Sequence, residues 1–368
     1  MTDLFEPAMP ASADTGPAEV LLRQAMAMGV VDVAGLVRRG ARLQSSASRH
    51  ANTRLVDRDG GGVFLKRGDG DTGFGTVAHE AAAYETLAAL IPAGAPLTTP
   101  RAIAYDTADD LLALTLVPGA RRLADVALAG EPLGAYPARL GAALGALHAL
   151  DPQAAPARGL PVHRGTTIFH LDAPSVETFC RLSRGQIELI ATLQAHRTII
   201  APLVAMAADW RADRVVHFDI RLANALVVAD ELTLIDFEYL GIGDPRWDLA
   251  GLLAAFVETW LMSAPLGDPA GFERHLDRAR FTEPAACAAI QSAWGAYAAA
   301  PGAPRFAVAQ VAPYVGARLI QAAYEHAAGL GEPNARVATL AAMGAEFLEH
   351  PAEAAAARLG LSDQPLSQ

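Results

Sequence analysis

Apolar positions spaced three and four apart mark helices along most of this chain, and strand-like runs gather in two stretches. The run E-V-L-L-R-Q-A-M-A-M-G after Ala18 reads as a short helix stopped at Gly29. Strands are expected at 41–46, 52–56 and 63–66, the last two joined by D-R-D-G-G-G, a strong hairpin signal. Residues 67–76 are rich in Gly and Asp and read as loop; from Val77, V-A-H-E-A-A-A-Y-E-T-L-A-A-L reads as a helix. The run L-L-A-L-T-L-V at 111–117 is a buried strand that meets Pro118–Gly119, and the lobe boundary is placed there. Beyond it, helices are predicted over 135–150, 174–196, 199–210, 249–265, 283–299, 306–329 and 333–348. Between Arg214 and Ile235 the pattern changes to short apolar runs between polar turns, two or three strands inside a helical region. Residues 1–17, with Pro, Gly and no periodicity, read as a disordered tail. The class is α+β: a small β-rich lobe over 18–117 with one main helix, and a large, mostly helical lobe over 118–368.

Composition narrows the picture. A chain of 368 residues with 52% hydrophobic and 19% charged residues can bury two cores and is not disordered. No window holds the roughly 18–20 uninterrupted apolar residues of a membrane span. The start, M-T-D-L-F-E-P, carries acid where a secretory signal carries base, so the expected place is the cytoplasm. Cys180 and Cys287 make neither a disulfide framework nor a metal-spaced set. A net charge of −11 argues against a nucleic-acid surface and is compatible with a cationic substrate. Of 29 basic side chains, Lys66 is the only lysine. Where a compact ammonium is required, a forked guanidinium cannot replace it, so Lys66 is a position of interest.

The candidate chemistry lies in the strand-like stretch. Val215–Val228 reads V-V-H-F-D-I-R-L-A-N-A-L-V-V, and Asp236 follows in L-I-D-F-E. Asp219 sits between an apolar strand and a polar loop, as a rigidly held general base must. Asn224 offers a neutral oxygen suited to Mg²⁺ and Asp236 a charged one. If the flanking strands form a hairpin, the three oxygens meet at one end of it. Transfer of a phosphoryl group needs that arrangement, because its catalysis is mostly positioning and charge neutralisation. Taken singly, an Asp beside a strand more often caps a turn, and an Asn more often closes one.

H-F-D-I-R-L-A-N and I-D-F-E-Y-L-G-I-G-D-P-R-W-D-L-A resemble the catalytic loop and metal segment of the aminoglycoside phosphotransferase/choline kinase family, of protein-kinase-like fold. The resemblance covers about residues 40–350 and implies a bilobal kinase-like molecule using ATP and Mg²⁺. Residues 18–117 would then be a nucleotide-binding lobe and 118–368 the catalytic and substrate-binding lobe. By this resemblance Asp219 is the base, Asn224 and Asp236 are Mg²⁺ ligands, and Arg221 stands near the γ-phosphate. Lys66 would hold the α- and β-phosphates and pair with Glu80, with Glu85 of the same helix as the rival. Ser45–Asn52, with Ser46 and Ser48, would form the loop over the nucleotide. Leu114–Val117, with Thr115, Leu116 and Val117, would meet adenine. Phe218 stands where this family commonly has glycine, and Leu222 where it has proline. His217 and His148 read as structural, and Asp248 as orienting the catalytic loop.

The expected activity is ATP- and Mg²⁺-dependent transfer of a γ-phosphoryl group to a hydroxyl of a small molecule, an aminoglycoside-like antibiotic or an amino-alcohol. A rival acceptor is a Ser or Thr of a precursor peptide, as in lanthipeptide-type maturation, with a partner protein. A pseudokinase scaffold would have lost a base or metal ligand, and here Lys66, Glu80, Asp219, Asn224 and Asp236 are all present.

Overall fold

The computed structural model describes residues 17–46, 51–265 and 276–363. The expected tail over 1–17 therefore lies outside the described residues, apart from Pro17. The chain divides into two compact units, residues 1–82 with 100–118 and residues 83–99 with 119–368.

In the first unit, helices α1 (Pro17–Ala27) and α2 (Val33–Arg39) precede strands β1 (Arg42–Ser46), β2 (Ala51–Val56) and β3 (Gly62–Arg67). Helix α3 (Val77–Leu90) spans the division, and β4 (Ala102–Asp106) and β5 (Leu111–Thr115) complete an antiparallel sheet ordered β1-β2-β3-β5-β4. The edge strand β4 and the helix α2 were not expected. A-I-A-Y-D is only half-buried along an edge, and α2 is a seven-residue helix that Asp32 caps by accepting the Gly35 N–H. Leu21 and Ala25 of α1 pack with Leu55, Val63, Leu65, Leu111 and Ala113 to make the core on one face of the sheet. Successive strand residues point to opposite faces, so Lys66 is buried on the face away from Leu65.

The second unit is mainly helical. Its later helices are α4 (Leu123–Leu128), α5 (Tyr136–His148), α6 (Val176–Arg181), α7 (Arg184–Gln194), α8 (Arg197–Ala208) and α9 (Pro245–Ser263). They continue with α10 (Glu283–Ala299), α11 (Val308–His326) and α12 (Ala335–Glu349). The single helix expected over 174–196 is broken in two. Ser183 starts a new helix by accepting the Gln186 N–H while the Gln186 side chain accepts the Ser183 N–H. Short strands β6 (Arg121–Arg122), β8 (Ala225–Val228) and β9 (Glu231–Leu234) form one sheet, and β7 (Arg214–Val216) pairs with β10 (Gly241–Gly243). Strands of two or three residues are too short for their alternation to be read, so β6 and β10 escaped prediction. β8 and β9 are the expected hairpin, turned at Ala229 and Asp230, both with positive φ as a tight two-residue turn requires. Helix α9 is buried almost throughout; Asp244 caps its start and Pro245 occupies its first turn. Among the described residues no single helix is long and apolar enough to cross a membrane.

Candidate active site

The strands of the second unit aim the polar residues. After β7 the chain leaves the sheet, passes Asp219, makes a 3₁₀ turn over Leu222–Asn224 and re-enters as β8. The Asn224 Nδ2 donates to the Asp219 carbonyl at 2.9 Å and approaches its Oδ2 at 3.3 Å. The Ile235 N–H donates to the Asn224 carbonyl, which brings Asp236 beside the same turn. The Asp236 N–H in turn donates to the Tyr84 hydroxyl at 3.2 Å. The structure thus brings Asp219, Asn224 and the Asp236 backbone to one end of the hairpin. Because the Asn224 amide nitrogen is committed to Asp219, its oxygen is the atom left for a cation. With the Asp236 carboxylate this is an all-oxygen donor set, which suits Mg²⁺ and not a soft metal.

Arg221 Nε donates to Asp219 Oδ1 at 2.7 Å, and its Nη2 donates to Glu325 at 2.9 Å. Burial would raise the Asp219 carboxyl, but the Arg221 and Arg318 charges, the Arg221 hydrogen bond and His217 outweigh it. Asp219 is therefore held below the usual carboxylate range and is ionised at neutral pH. Burial works against the Arg221 guanidinium too, yet Asp219 and Glu325 raise it above its ordinary value. Arg318 is itself buried; it donates to the Ile220 carbonyl at 3.1 Å and lies 4.8 Å over the Trp247 ring. Nothing in the sequence pointed to Arg318 or Glu325, because both lie on α11, about a hundred residues downstream.

A second layer holds the loop. Asp248, in the first turn of α9, accepts the N–H groups of His217 at 2.7 Å and Phe218 at 2.8 Å. Its Oδ2 also meets His148 Nε2 at 3.3 Å, while His148 Nδ1 meets the Tyr297 hydroxyl at 2.8 Å. His217 Nε2 bonds to the Ile235 carbonyl at 3.0 Å, and Trp247 Nε1 donates to the Phe218 carbonyl. Both histidines thus help to hold the loop and its support, His217 through its Nε2.

In the first unit, Lys66 Nζ lies 2.7 Å from Glu80, and both side chains are buried. Thr76 caps α3 by accepting the His79 N–H, and Glu80 sits one turn into the helix on its buried side. Glu85, the rival, is exposed. The Thr115 hydroxyl accepts the Arg101 N–H, and the Thr115 and Leu116 N–H groups donate to Arg101 and Gly62. Leu116 and Val117 lie just beyond the end of β5, before Pro118. The expected loop over Ser45–Asn52 is shorter: Ser45 and Ser46 end β1 and pair with Thr53 and Asn52 of β2, which leaves 47–50, with Ser48, outside the described residues.

A sequence profile of the phosphotransferase enzyme family matches residues 42–285, about two thirds of the chain. No curated protein sequence matches it. Among solved structures, a choline/ethanolamine kinase family protein from Mesorhizobium loti aligns with TM-score 0.54 and 16% identity, over 93% of this chain and 100% of that one. A choline kinase from Streptococcus pneumoniae aligns with TM-score 0.52 and 12% identity, over 89% and 98%. A macrolide 2′-phosphotransferase from Brachybacterium faecium aligns with TM-score 0.50 and 21% identity, over 91% and 98%. At these identities the likeness is one of fold: the chain shares their kinase-like α+β architecture.

Proposed function

The chain belongs to the phosphotransferase enzyme family, and we propose that it transfers the γ-phosphoryl group of ATP, with Mg²⁺, to a hydroxyl of a small amine-bearing molecule. Residues 18–117 serve the nucleotide and residues 118–368 the chemistry and the acceptor. The observation that carries the reading is the ionised Asp219, fixed at one oxygen by Arg221 and flanked by Asn224.

In this reading the acceptor hydroxyl donates its hydrogen bond to the Asp219 carboxylate. As its oxygen attacks the γ-phosphorus, the proton passes to that carboxylate and the bond from phosphorus to the ADP oxygen breaks. Arg221 holds Asp219 in one rotamer and presents positive charge where the transferred group carries negative charge. Asn224 and Asp236 would hold Mg²⁺, whose charge would neutralise the phosphates when bound. Lys66, kept in place by Glu80, meets the α- and β-phosphates as a point charge. Ser46, at the end of β1, and Ser48, two residues on, would contact the nucleotide, and Thr115, Leu116 and Val117 would border adenine.

A cationic acceptor is supported by the net charge of −11. Two proteins of this fold are, by their names, a choline kinase and a macrolide 2′-phosphotransferase. The test is mass spectrometry after incubation with MgATP and choline, ethanolamine, an aminoglycoside, a macrolide or a Ser-containing peptide. A phosphoryl group gained by an amine-bearing small molecule, and lost with Asp219→Asn, is the expected result. Phosphorylation of the peptide alone would replace the acceptor class. No Asp219-dependent ADP release with any acceptor would overturn the reading.

A further inference from the structure

Phe218, the residue before Asp219, has φ +71°. That is the left-handed region, which glycine and asparagine enter easily and a bulky aromatic does not. A conformation of this kind persists only where its surroundings over-determine it. Here every handle of the residue is gripped. Its N–H goes to Asp248 Oδ1, its carbonyl accepts from Trp247 Nε1, and its ring lies flat on His163. The two rings are 3.6 Å apart between centroids and 2° from parallel.

His163 is in turn anchored on three sides. Its Nε2 meets the Tyr239 carbonyl at 2.8 Å, three residues beyond Asp236. Its N–H donates to the Ile242 carbonyl, and its own carbonyl accepts from Trp210 Nε1. The close approach needs Gly241: a Cβ there would stand 2.8 Å from the His163 ring and 2.7 Å from the Pro161 carbonyl. His163 is buried, lies far from both recognisable motifs in sequence, and has no part in the proton path above.

We infer that His163 is a positioning residue: its ring, stacked on Phe218, holds that backbone left-handed and ties the Asp219 loop to the segment following Asp236. The inference about turnover rests on the reading of Asp219 given above, while the inference about the backbone does not.

The experiment is amide hydrogen exchange of the full chain, combined with ATP hydrolysis and MgATP affinity. His163→Ala removes both the stack and the bond to Tyr239. Protection of the His217 and Phe218 amides is expected to fall at least about tenfold, and kcat to fall with it while MgATP affinity stays within about twofold. Phe218→Gly placed in the His163→Ala chain is expected to restore both, because glycine takes this φ unaided. Phe218→Asn serves the same purpose should the glycine chain not fold. His163→Phe keeps the stack without the Tyr239 bond and is expected to retain most of the protection. Unchanged protection in His163→Ala, or no recovery with both Phe218 substitutions, overturns the inference. Parental turnover from Asp219→Asn would fail the reading of the base and leave the exchange result to decide His163.

Discussion

Two regions solve the same problem, holding an ionic group in place, by different means. Lys66 and Glu80 stand on a regular strand and a regular helix, each in the conformation its neighbours share. The segment from Phe218 to Asp236 instead holds four of the five non-glycine residues with positive φ among the described residues. Two of the four, Phe218 and Asp236, flank the candidate chemistry, and the other two make the hairpin turn. Where secondary structure alone aims a side chain, a substitution acts through that side chain. Where the backbone is irregular, distant groups such as Asp248 must hold it, and their loss should be felt as strongly as that of the residues they serve.

The sharpest way to break this contrast is at Asp219 itself. Asp219→Asn keeps size and hydrogen bonding and removes the base. Turnover is expected to fall about 10²–10⁴-fold with MgATP affinity preserved, measured by ADP release and calorimetry. Parental turnover would remove the carboxylate from the mechanism.

Next comes the residue that holds the loop from outside it. Asp248→Ala leaves the buried His217 N–H, the part-buried Phe218 N–H and His148 without their acceptor. Denaturant unfolding should show a loss of about 3–5 kcal/mol, the range for removing one partner from a buried ionic network. Burial raises the Asp248 carboxyl, but the His148 hydrogen bond and the His148 and His217 charges lower it further, so the net shift is downward. A carboxyl depressed in the folded state contributes stability above its unfolded value of about 3.9, and that stability is lost as pH falls through the lower folded value. Asp248→Asn should flatten the stability curve below about pH 4; a slope identical to the parent's would contradict this origin.

The regular region predicts a smaller, side-chain-only effect. Lys66→Arg keeps the charge and replaces a point contact by a broad planar one. ATP affinity should drop at least about tenfold, roughly 1.4 kcal/mol, in a titration. Unchanged affinity would detach Lys66 from the nucleotide.

The smallest effect is expected at His326, an exposed side chain 2.9 Å from Glu258. The Glu258 hydrogen bond raises the imidazole above its ordinary value, more than burial lowers it. A raised histidine contributes stability fully below its unfolded value of about 6.5 and loses it as pH rises through the higher folded value. His326→Gln should remove a contribution of about 0.5 kcal/mol between pH 6 and 8, as expected for a partly exposed pair. Parallel melting curves for the two proteins across that range would argue against it.

Much of this molecule was legible along the chain. The α+β class, the main helices, the three strands up to Lys66, the β8–β9 hairpin and the order of Asp219, Asn224 and Asp236 follow from local spacing and residue chemistry. Glu80 could be preferred over Glu85 because helical periodicity puts the earlier residue on the apolar face, and it is the one against Lys66. What stayed hidden was short or distant. Strands of two or three residues leave no period, and the break at Leu182–Ser183 depends on a capping box inside an otherwise helical pattern. Arg318 and Glu325 reach Ile220 and Arg221 from α11, 98 and 104 residues away. The sequence by itself thus determined which chemical groups exist and on which kind of element each one sits, because propensity and periodicity are local. The left-handed backbone at Phe218 was decided only by the tertiary structure, since its own residue type opposes it. Asp248, Trp247 and His163, each far away along the chain, supply the bonds and the stack that make it the lowest state.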